Sequence, residues 1–563
     1  MQLTHLKPVD LAIIVIYFVA VLSIGFLLKR QTNTSESFFL ADRSITSWVA
    51  GLSFVAANMG ALELMGWASS TYEYGIMTVH WYWIGSVPAI LFLAIVMMPF
   101  YYRSRATSVP GYLLQRFGEP SRTLSAISFA SMTLLMSGIN MFAMAKVMEV
   151  MLGWNLHFSI WISALTVATY VVLGGLASAI LNEVLQFFLI WMGALVIPIL
   201  GLIECGGWHG LTQRIAANLP NSSQYLHIWS TLGSPQANPM GVDWIGIIFG
   251  MALVGGFGYW TTDFLVVQRV MVARDLRTAQ MAPVIGAFAK MAIPIIVVLP
   301  GLIGLGIFAG HGSAIHLVSE NMAHAGDYTY NDVLPLLLIR YAGPGLLGLG
   351  VTALIAGFMS GMAGNVSAFA TVWTYDIYQP HIARSKTQEH YLQVGRWSSF
   401  LGVLLSIGTA YFALHFNSIM DYVQALFSFF VSPLFATVLL GMFWKRATNA
   451  GAFWGLLSGM AISISMWIAV RLCPSTLKYV AFSMSARPMA ETLYRMLWSW
   501  LVCGAVTILV SLVTHPRKED ELVGLVYGCT PKESTACLVW WQNPKFWALI
   551  ALITVSVLQW IFW

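Results

Sequence analysis

Apolar segments long enough to cross a lipid bilayer recur from one end of this chain to the other. Of its 563 residues, 58% are hydrophobic and 9% are charged, whereas a soluble protein carries about 25% charged residues. A spanning helix needs roughly 20 mostly apolar residues, and barrel strands would give short alternating segments instead. The sequence therefore predicts an all-α polytopic membrane protein.

The apolar pattern predicts about 14 transmembrane helices, with boundaries good to a few residues. These predicted spans are 8–29, 46–70, 78–100, 122–152, 157–179, 182–205, 242–268, 281–308, 338–374, 397–414, 418–443, 451–472, 494–514 and 545–562.

The basic residues are unevenly distributed between the two sets of loops. If the N-terminus lies outside, about 19 of the 28 Lys and Arg residues fall on the inner side and about 7 on the outer side. Because inner loops carry an excess of Lys and Arg, we expect both termini to lie outside. The short loops favour a plasma membrane of the bacterial inner-membrane type.

Two of the predicted spans contain glycine beside polar residues. The stretch "VAANMGALELMG" (55–66) includes Asn58 and Glu63, and a later span contains "GGFG" at 255–258. Glycine weakens a helix by about 1 kcal/mol relative to alanine, and unwound backbone at membrane depth must line a cavity or be buried in protein. We expect the helix to unwind at both places. The alternative is that these glycines only permit close helix packing.

The two interrupted spans each begin a block of five spans, 46–205 and 242–443. Since five is an odd number, the two blocks have opposite topology, and paired broken helices in such blocks indicate a transporter site at the bilayer midplane. The remaining segments are predicted to be an extra span with an inner loop (1–45), an outer loop (206–241) and accessory C-terminal spans (444–563).

The chain resembles the sodium/solute symporter family, and within it the bacterial-type members of the sodium–glucose cotransporter branch. The resemblance covers almost the whole chain and implies a LeuT-type core of five-plus-five inverted repeats, with the solute between the broken helices. The stretches that carry it are "AANMGALELMG", "GGLASAILNEVLQ", "YWTTDFLVVQR", "KMAIPIIVVLPG", "FMSGMAGNVSAFATVWTYDIY" and "DYVQALFSFFVSPLFATVLLGMFWKRATNAGAFWG".

The resemblance also implies sodium as the coupling ion, bound between the first and eighth core helices. Carbonyl groups freed by a helix break can supply ligands to such a cation. Here they would come from Ala56, Met59 and Gly357, with a hydroxyl ligand from Ser360. A helical serine more commonly bonds to its own preceding turn. The family usually has a second serine where this chain has Gly361, so one hydroxyl ligand is lost.

Glu183 occupies a place where many relatives carry aspartate, which in some is linked to a second cation site. A carboxylate inside a span is a functional candidate by default. The alternative is an inner-end carboxylate at a helix N-terminus, where the helix dipole stabilises negative charge. The sequence leaves both interpretations open.

The resemblance implies a substrate pocket made of polar and aromatic side chains. Its predicted members are Asn58, Glu63, Tyr82, Tyr259, Trp260, Lys290 and Gln424. Sugar hydroxyls both donate and accept, so amide, carboxylate and ammonium groups can each pair with them, and aromatic rings can pack against the apolar face of a sugar. If Glu63 and Lys290 are close, they offset each other's charge, since an unpaired buried charge is costly.

A departure from the sugar-transporting relatives occurs in the third span. Many of them have glutamate in an aromatic triplet there, whereas this chain has Tyr82 in "WYW" at 81–83. Glu63 could preserve sugar recognition by another route, or the solute could be a different polyol, an amino sugar or a cation. Trp81 and Trp83 are interpreted as an aromatic belt at the outer interface, and His80 as a structural residue.

These features predict a secondary active transporter that carries a monosaccharide-like polyol with sodium by alternating access. The alternative is a weakly sodium-dependent or proton-linked carrier of another small polar solute. No metal motif or nucleophile–base constellation such as HExxH occurs in the sequence, so we do not expect an enzyme. The expected partners are the solute and the lipid bilayer, without nucleic acid or an obligatory protein partner.

Overall fold

The computed structural model describes residues 6–29, 44–106, 108–310, 313–324, 327–529 and 539–563, without the side chains of 22, 25–29 and 168–178. The predicted inner loop after the first span falls mostly on residues 30–43, outside this description.

The described chain is built almost entirely from helices, as predicted. In the first half the main helices are α1 (Pro8–Lys29), α2 (Ser47–Ala56), α3 (Ala61–Tyr74), α4 (Glu119–Leu152), α5 (Leu156–Ala194) and α6 (Val196–Cys205). The third span follows α3 as short pieces, which are Gly75–Val79, His80–Trp83, Val87–Phe92, Leu93–Met97 and Met98–Arg103.

The second half continues the same architecture. Its main helices are α7 (Gly246–Thr262), α8 (Phe264–Met271), α9 (Leu276–Phe308), α10 (Leu346–His381), α11 (Gln388–His415), α12 (Ile419–Phe443), α13 (Asn449–Leu472), α14 (Pro488–Val513) and α15 (Pro544–Ile561). Shorter connecting helices include Val109–Phe117, Gly207–Asn218 and Val333–Tyr341. The strands of the described chain are Leu317–Val318 and Tyr328–Thr329, which pair in parallel.

Ten helices among the described residues are long and apolar enough to cross a membrane. Four shorter apolar helices lie at Pro8–Val21, Ser47–Ala56, Leu156–Val167 and Gly246–Thr262. The polytopic all-α architecture is confirmed, whereas the predicted number of about 14 spans is not established by these helices.

The interruption predicted in the second span is present. Helix α2 ends at Ala56 and α3 begins at Ala61, and Gly60 between them is extended, with ψ at 176°. The segment is buried in protein rather than exposed, as backbone at membrane depth must be. Glu63 therefore lies in the first turn of α3, where the positive end of the helix dipole favours a carboxylate.

The second interruption lies elsewhere than predicted. Gly255 and Gly256 remain helical inside α7, and the chain leaves the helix only at Asp263, with ψ at 113°. The Asp263 carboxylate then caps α8 by accepting a hydrogen bond from the Leu265 N–H at 2.9 Å. The glycines serve close packing instead, because a Cβ on Gly256 would lie 2.1 Å from the carbonyl oxygen of Gly85.

The predicted boundary between the fifth and sixth spans is also absent. Spans 157–179 and 182–205 were expected, but α5 runs without a break to Ala194 and α6 starts at Val196. The intervening sequence has a glycine pair as its main helix-weakening feature, and the cost of about 1 kcal/mol per glycine is small beside tertiary packing. Glu183 is consequently a mid-helix residue, so the alternative interpretation that it is an inner-end carboxylate at a helix N-terminus does not hold.

We expect Gly256→Ala to destabilise the protein, because the added Cβ meets backbone that cannot move aside easily. Overpacking of this kind costs about 1–3 kcal/mol, so the thermal unfolding midpoint of the purified protein in detergent should fall. The control is Gly504→Ala in α14, where a Cβ would meet no atom within 4 Å. Equal stability of the two variants would contradict the proposed packing role.

Candidate functional site

A cavity lies where the α2–α3 interruption meets the third span and α7, α9, α10 and α12. It encloses about 790 Å³ of space between protein atoms, part of it open to solvent. All seven residues predicted for the substrate pocket line it, namely Asn58, Glu63, Tyr82, Tyr259, Trp260, Lys290 and Gln424.

An ion pair between Lys290 and Glu63 stands at the centre of this cavity. The Nζ–Oε1 distance is 2.5 Å, and the two side chains are 2% and 8% exposed. Each charge would be strongly unfavourable alone at this depth, and the pairing offsets that cost. The two residues come from α9 and from the first turn of α3, so the ion pair joins the interruption to a helix far away in sequence.

Hydrogen bonds extend the ion pair into a network. The Lys290 ammonium group also donates to Asn58 Oδ1, and Asn58 Nδ2 donates to the Tyr259 hydroxyl oxygen at 2.8 Å. Asn58 is thereby held through both atoms of its amide. The network positions a carboxylate, an ammonium, an amide and a phenol on one side of the cavity.

Aromatic rings form much of the remaining wall. The Lys290 Nζ lies 5.1 Å from the Tyr82 ring centroid and 5.2 Å from that of Trp260, distances at which a cation is attracted to a ring face. Tyr259 stacks on Phe427 with their centroids 4.9 Å apart. Such walls can pack against the apolar faces of a ligand while the polar network binds its hydroxyl groups.

The tryptophans of the "WYW" triplet do not form the aromatic belt that the sequence suggested. Trp81 lines the cavity, with its ring 4.9 Å from that of Trp67. Trp83 is buried, and its Nε1–H donates to the Met291 carbonyl at 3.2 Å. His80 is fully buried and donates from Nε2 to the Ile228 carbonyl at 2.7 Å, which agrees with its structural interpretation.

The residues predicted for the main cation site meet beside this cavity. The Ser360 hydroxyl donates to the Ala56 carbonyl at 2.9 Å, so its hydrogen bond crosses to α2 and does not close on its own helical turn. A Cβ placed on Gly357 would lie 3.0 Å from the Met59 carbonyl oxygen. Carbonyl groups of the interruption thus lie against α10, and a cation bound between them and Ser360 stays a prediction.

Gly361 also lines the cavity, one residue beyond Ser360. A Cβ at this position would lie 3.4 Å from Gly60 Cα and 2.5 Å from the Nδ2 atom of Asn140. The space that a second serine would need is therefore already occupied by another side chain.

Glu183 does not line the cavity. Its carboxylate is fully buried and pairs with Arg269, with Nη2 and Oε1 2.6 Å apart. It also accepts a hydrogen bond from the Ser53 hydroxyl of α2. The structure thus surrounds this carboxylate with a guanidinium and a hydroxyl, and a second cation site there stays a prediction.

Sequence reasoning missed two amides that line the cavity, Asn140 of α4 and Asn365 of α10. The signal was present, because an amide inside an apolar span is costly and is a functional candidate by default. Asn365 even lies within a stretch that carries the family resemblance. Asn365 directly follows Gly364 and Asn140 lies two residues after Gly138, but neither was singled out because neither belongs to the two spans predicted to be interrupted.

Comparison with known proteins connects this geometry to transport. Residues 38–459 match the Sodium:solute symporter family. Sodium/glucose cotransporter 4 of Homo sapiens is 29% identical over 540 residues, which cover 93% of this chain and 78% of that protein. Sodium/myo-inositol cotransporter 2 of Oryctolagus cuniculus is 28% identical over 546 residues, with 93% and 79% covered.

A solved structure shares the fold. It is described as the substrate-bound outward-open state of a Na⁺-coupled sialic acid symporter, and it matches with a TM-score of 0.73 at 19% identity. The match covers 91% of this chain and 99% of the other. The predicted LeuT-type architecture is thereby confirmed.

We expect Lys290→Met to lower thermal stability, because it leaves the buried Glu63 carboxylate without its cation. Breaking a buried pair from one side costs about 3–5 kcal/mol. The double variant Glu63→Gln with Lys290→Met should recover most of that loss in detergent unfolding measurements. Lys445→Met is the control, because Lys445 pairs with Glu519 on the exposed surface, where a pair contributes about 0–1 kcal/mol. A double variant no more stable than Lys290→Met would refute the pairing.

Proposed function

This chain belongs to the sodium:solute symporter family, and on that premise we propose that it takes up a monosaccharide-like polyol together with sodium by alternating access. It is an integral membrane protein that transports a small solute with sodium as the coupling ion, and it is not an enzyme.

The observation that carries the proposal is the hydrogen-bonded network of Glu63, Lys290, Asn58 and Tyr259 inside an aromatic cavity. Its one positive and one negative charge cancel, so the cavity favours a ligand without net charge. Each group of the network can pair with a hydroxyl, which both donates and accepts. A ring with several hydroxyl groups fits these contacts, and relatives named for glucose and myo-inositol support this class of solute.

Glu63 takes the role of the carboxylate that sugar-transporting relatives place in the third span. Support for this comes from Lys290, which contacts Glu63 and also lies over the ring of Tyr82, the residue at the relatives' glutamate position. A carboxylate on α3 therefore reaches the same part of the cavity from the neighbouring helix. An amino sugar would compete with Lys290 for that carboxylate, so we favour a neutral polyol.

Sodium binds, in this proposal, to the carbonyl oxygens of Ala56, Met59 and Gly357 and to the Ser360 hydroxyl, beside Gly361. The ion would tie the interruption to α10 and hold Asn58 and Glu63, which lie on the same short segment, in position for the solute. A ligand shifts a conformational equilibrium only through its different affinities for the two states. Sodium and solute should therefore strengthen each other's binding by the same factor.

The proton-linked alternative gains no support from a family of sodium-coupled transporters. We also propose that Glu183 is part of a second cation site. For a cation to bind there, the ion pair between Arg269 and the Glu183 carboxylate would have to break.

We further propose that both termini lie outside and that the host membrane is a bacterial inner membrane. The excess of basic residues in the inner loops supports the orientation. The blocks 46–205 and 242–443 would then be the repeats that move against each other. Residues 206–241 would form an outer loop, and the segments 1–45 and 444–563 would be accessory to this core.

We expect proteoliposomes containing the protein to accumulate a labelled neutral monosaccharide or cyclic polyol when a sodium gradient is imposed. Glu63→Gln should lower apparent solute affinity by about tenfold, the size of one lost charged hydrogen bond. Glu519→Gln, which alters an exposed carboxylate, is the matched control. Sodium-driven uptake of a cationic solute, with neutral sugars excluded, would refute the proposed substrate class.

We expect Ser360→Ala to raise the sodium concentration needed for half-maximal uptake, by about tenfold. Solute affinity at saturating sodium should change much less. The control is Ser406→Ala, because the Ser406 hydroxyl is also buried but bonds to Gly402 of its own helix at 2.7 Å. If both variants show the parental sodium dependence, Ser360 is not a ligand of the coupling ion.

A further inference from the structure

We propose that the amide oxygen of Asn140 supplies the cation ligand that this chain lacks at Gly361. The inference rests on the proposed cation site and deepens it, because it adds a third structural element to a site formed by the α2–α3 interruption and α10. Asn140 lies on α4, and no sequence pattern had assigned it a role.

Asn140 is a buried amide without a protein partner. Its side chain is fully inaccessible, and neither Oδ1 nor Nδ2 makes a hydrogen bond with any residue that the structure describes. Leaving a buried polar group unsatisfied is costly, and two such atoms occur on this one side chain. A buried amide that faces a cavity in this way indicates a ligand.

The position of the amide matches the position of the lost hydroxyl. A Cβ built on Gly361 would lie 2.5 Å from Asn140 Nδ2 and 3.5 Å from its Cγ. On the other side, Asn140 Oδ1 lies 3.6 Å from a Cβ built on Gly60. The amide therefore fills the space beside the interruption where a serine side chain at 361 would begin.

The chemistry of the amide suits the site. The oxygen and nitrogen of an amide have nearly the same shape, and which of them faces a given direction is set by their partners. With a cation present, the oxygen would turn toward it and join the oxygens of Ala56, Met59, Gly357 and Ser360. Neutral oxygen donors of this kind suit a hard monovalent cation, because they bind it without introducing a net negative charge.

Gly361 and Asn140 are in this view a matched pair. A serine at position 361 would collide with the Asn140 amide. An alanine at position 140 would remove one oxygen ligand from the proposed cation site. Each residue explains the other, which predicts that the two roles can be exchanged. The competing interpretation is that Asn140 binds the solute, since the same side chain lines the solute cavity.

The test measures equilibrium binding of radioactive sodium to the purified full-length protein in the absence of any solute. Asn140→Ala should weaken sodium binding by about tenfold, and Asn140→Asp, which keeps an oxygen at the same place, should bind at least as tightly as the parent. The double variant Asn140→Ala with Gly361→Ser should recover most of the lost affinity. Thr133→Val is the control, because the Thr133 hydroxyl of the same helix bonds to the Phe129 carbonyl.

Parental sodium affinity in Asn140→Ala, combined with weaker solute binding at saturating sodium, would assign the amide to the solute and overturn the inference. A double variant no better than Asn140→Ala would overturn it as well. Because no solute is present in the sodium measurement, it is independent of whether the transported compound is a sugar. The unfolding midpoints of all variants identify any variant that fails to fold. If Asn140→Ala fails to fold, sodium binding by Asn140→Asp still tests the inference.

Discussion

The structure depends on one constraint, which is that a helix interrupted inside a membrane must find partners for its freed polar groups. Between Ala56 and Ala61 the chain gives up helical hydrogen bonds at a depth where water is scarce. Helix α10 supplies one such partner, because the Ser360 hydroxyl donates to the Ala56 carbonyl. Lys290 of α9 holds the segment through the side chain of Asn58. Packing of α9 and α10 around the interruption therefore stabilises it, and the cavity lies beside it.

The same short segment serves both ligands of the proposed transport cycle. Its Ala56 carbonyl faces α10 at the proposed cation site, whereas the side chains of Asn58 and Glu63 contact Lys290 of α9 at the proposed solute site. Ordering the segment for one ligand also orders it for the other. A coupling free energy between two sites needs a shared element with two arrangements, and an interrupted helix with few internal hydrogen bonds is well suited to that role.

Charge balance gives the cavity its chemical character. One carboxylate and one ammonium, from parts of the chain more than two hundred residues apart, cancel at a distance of 2.5 Å. The aromatic rings around Lys290 lower its cost further by offering their electron-rich faces. The result is a cavity whose buried charged pair is neutral as a whole, which is the basis for the proposal of a neutral solute that carries hydroxyl groups.

The sequence by itself determined the helical membrane architecture, the family, the first interruption and seven of the residues that line the cavity. These follow from apolar length, from glycine beside polar groups and from a motif order that spans the chain, all of which are local or linear properties. Tertiary structure alone decided that Gly256 of α7 packs against Gly85 while the helix ends at Asp263. It alone also decided that Glu183 pairs with Arg269. It alone placed Asn140 beside Gly361. These outcomes depend on which surfaces of distant segments pack together. The identity of a glycine or an asparagine in the sequence does not show whether it will contact backbone, a cavity or a cation.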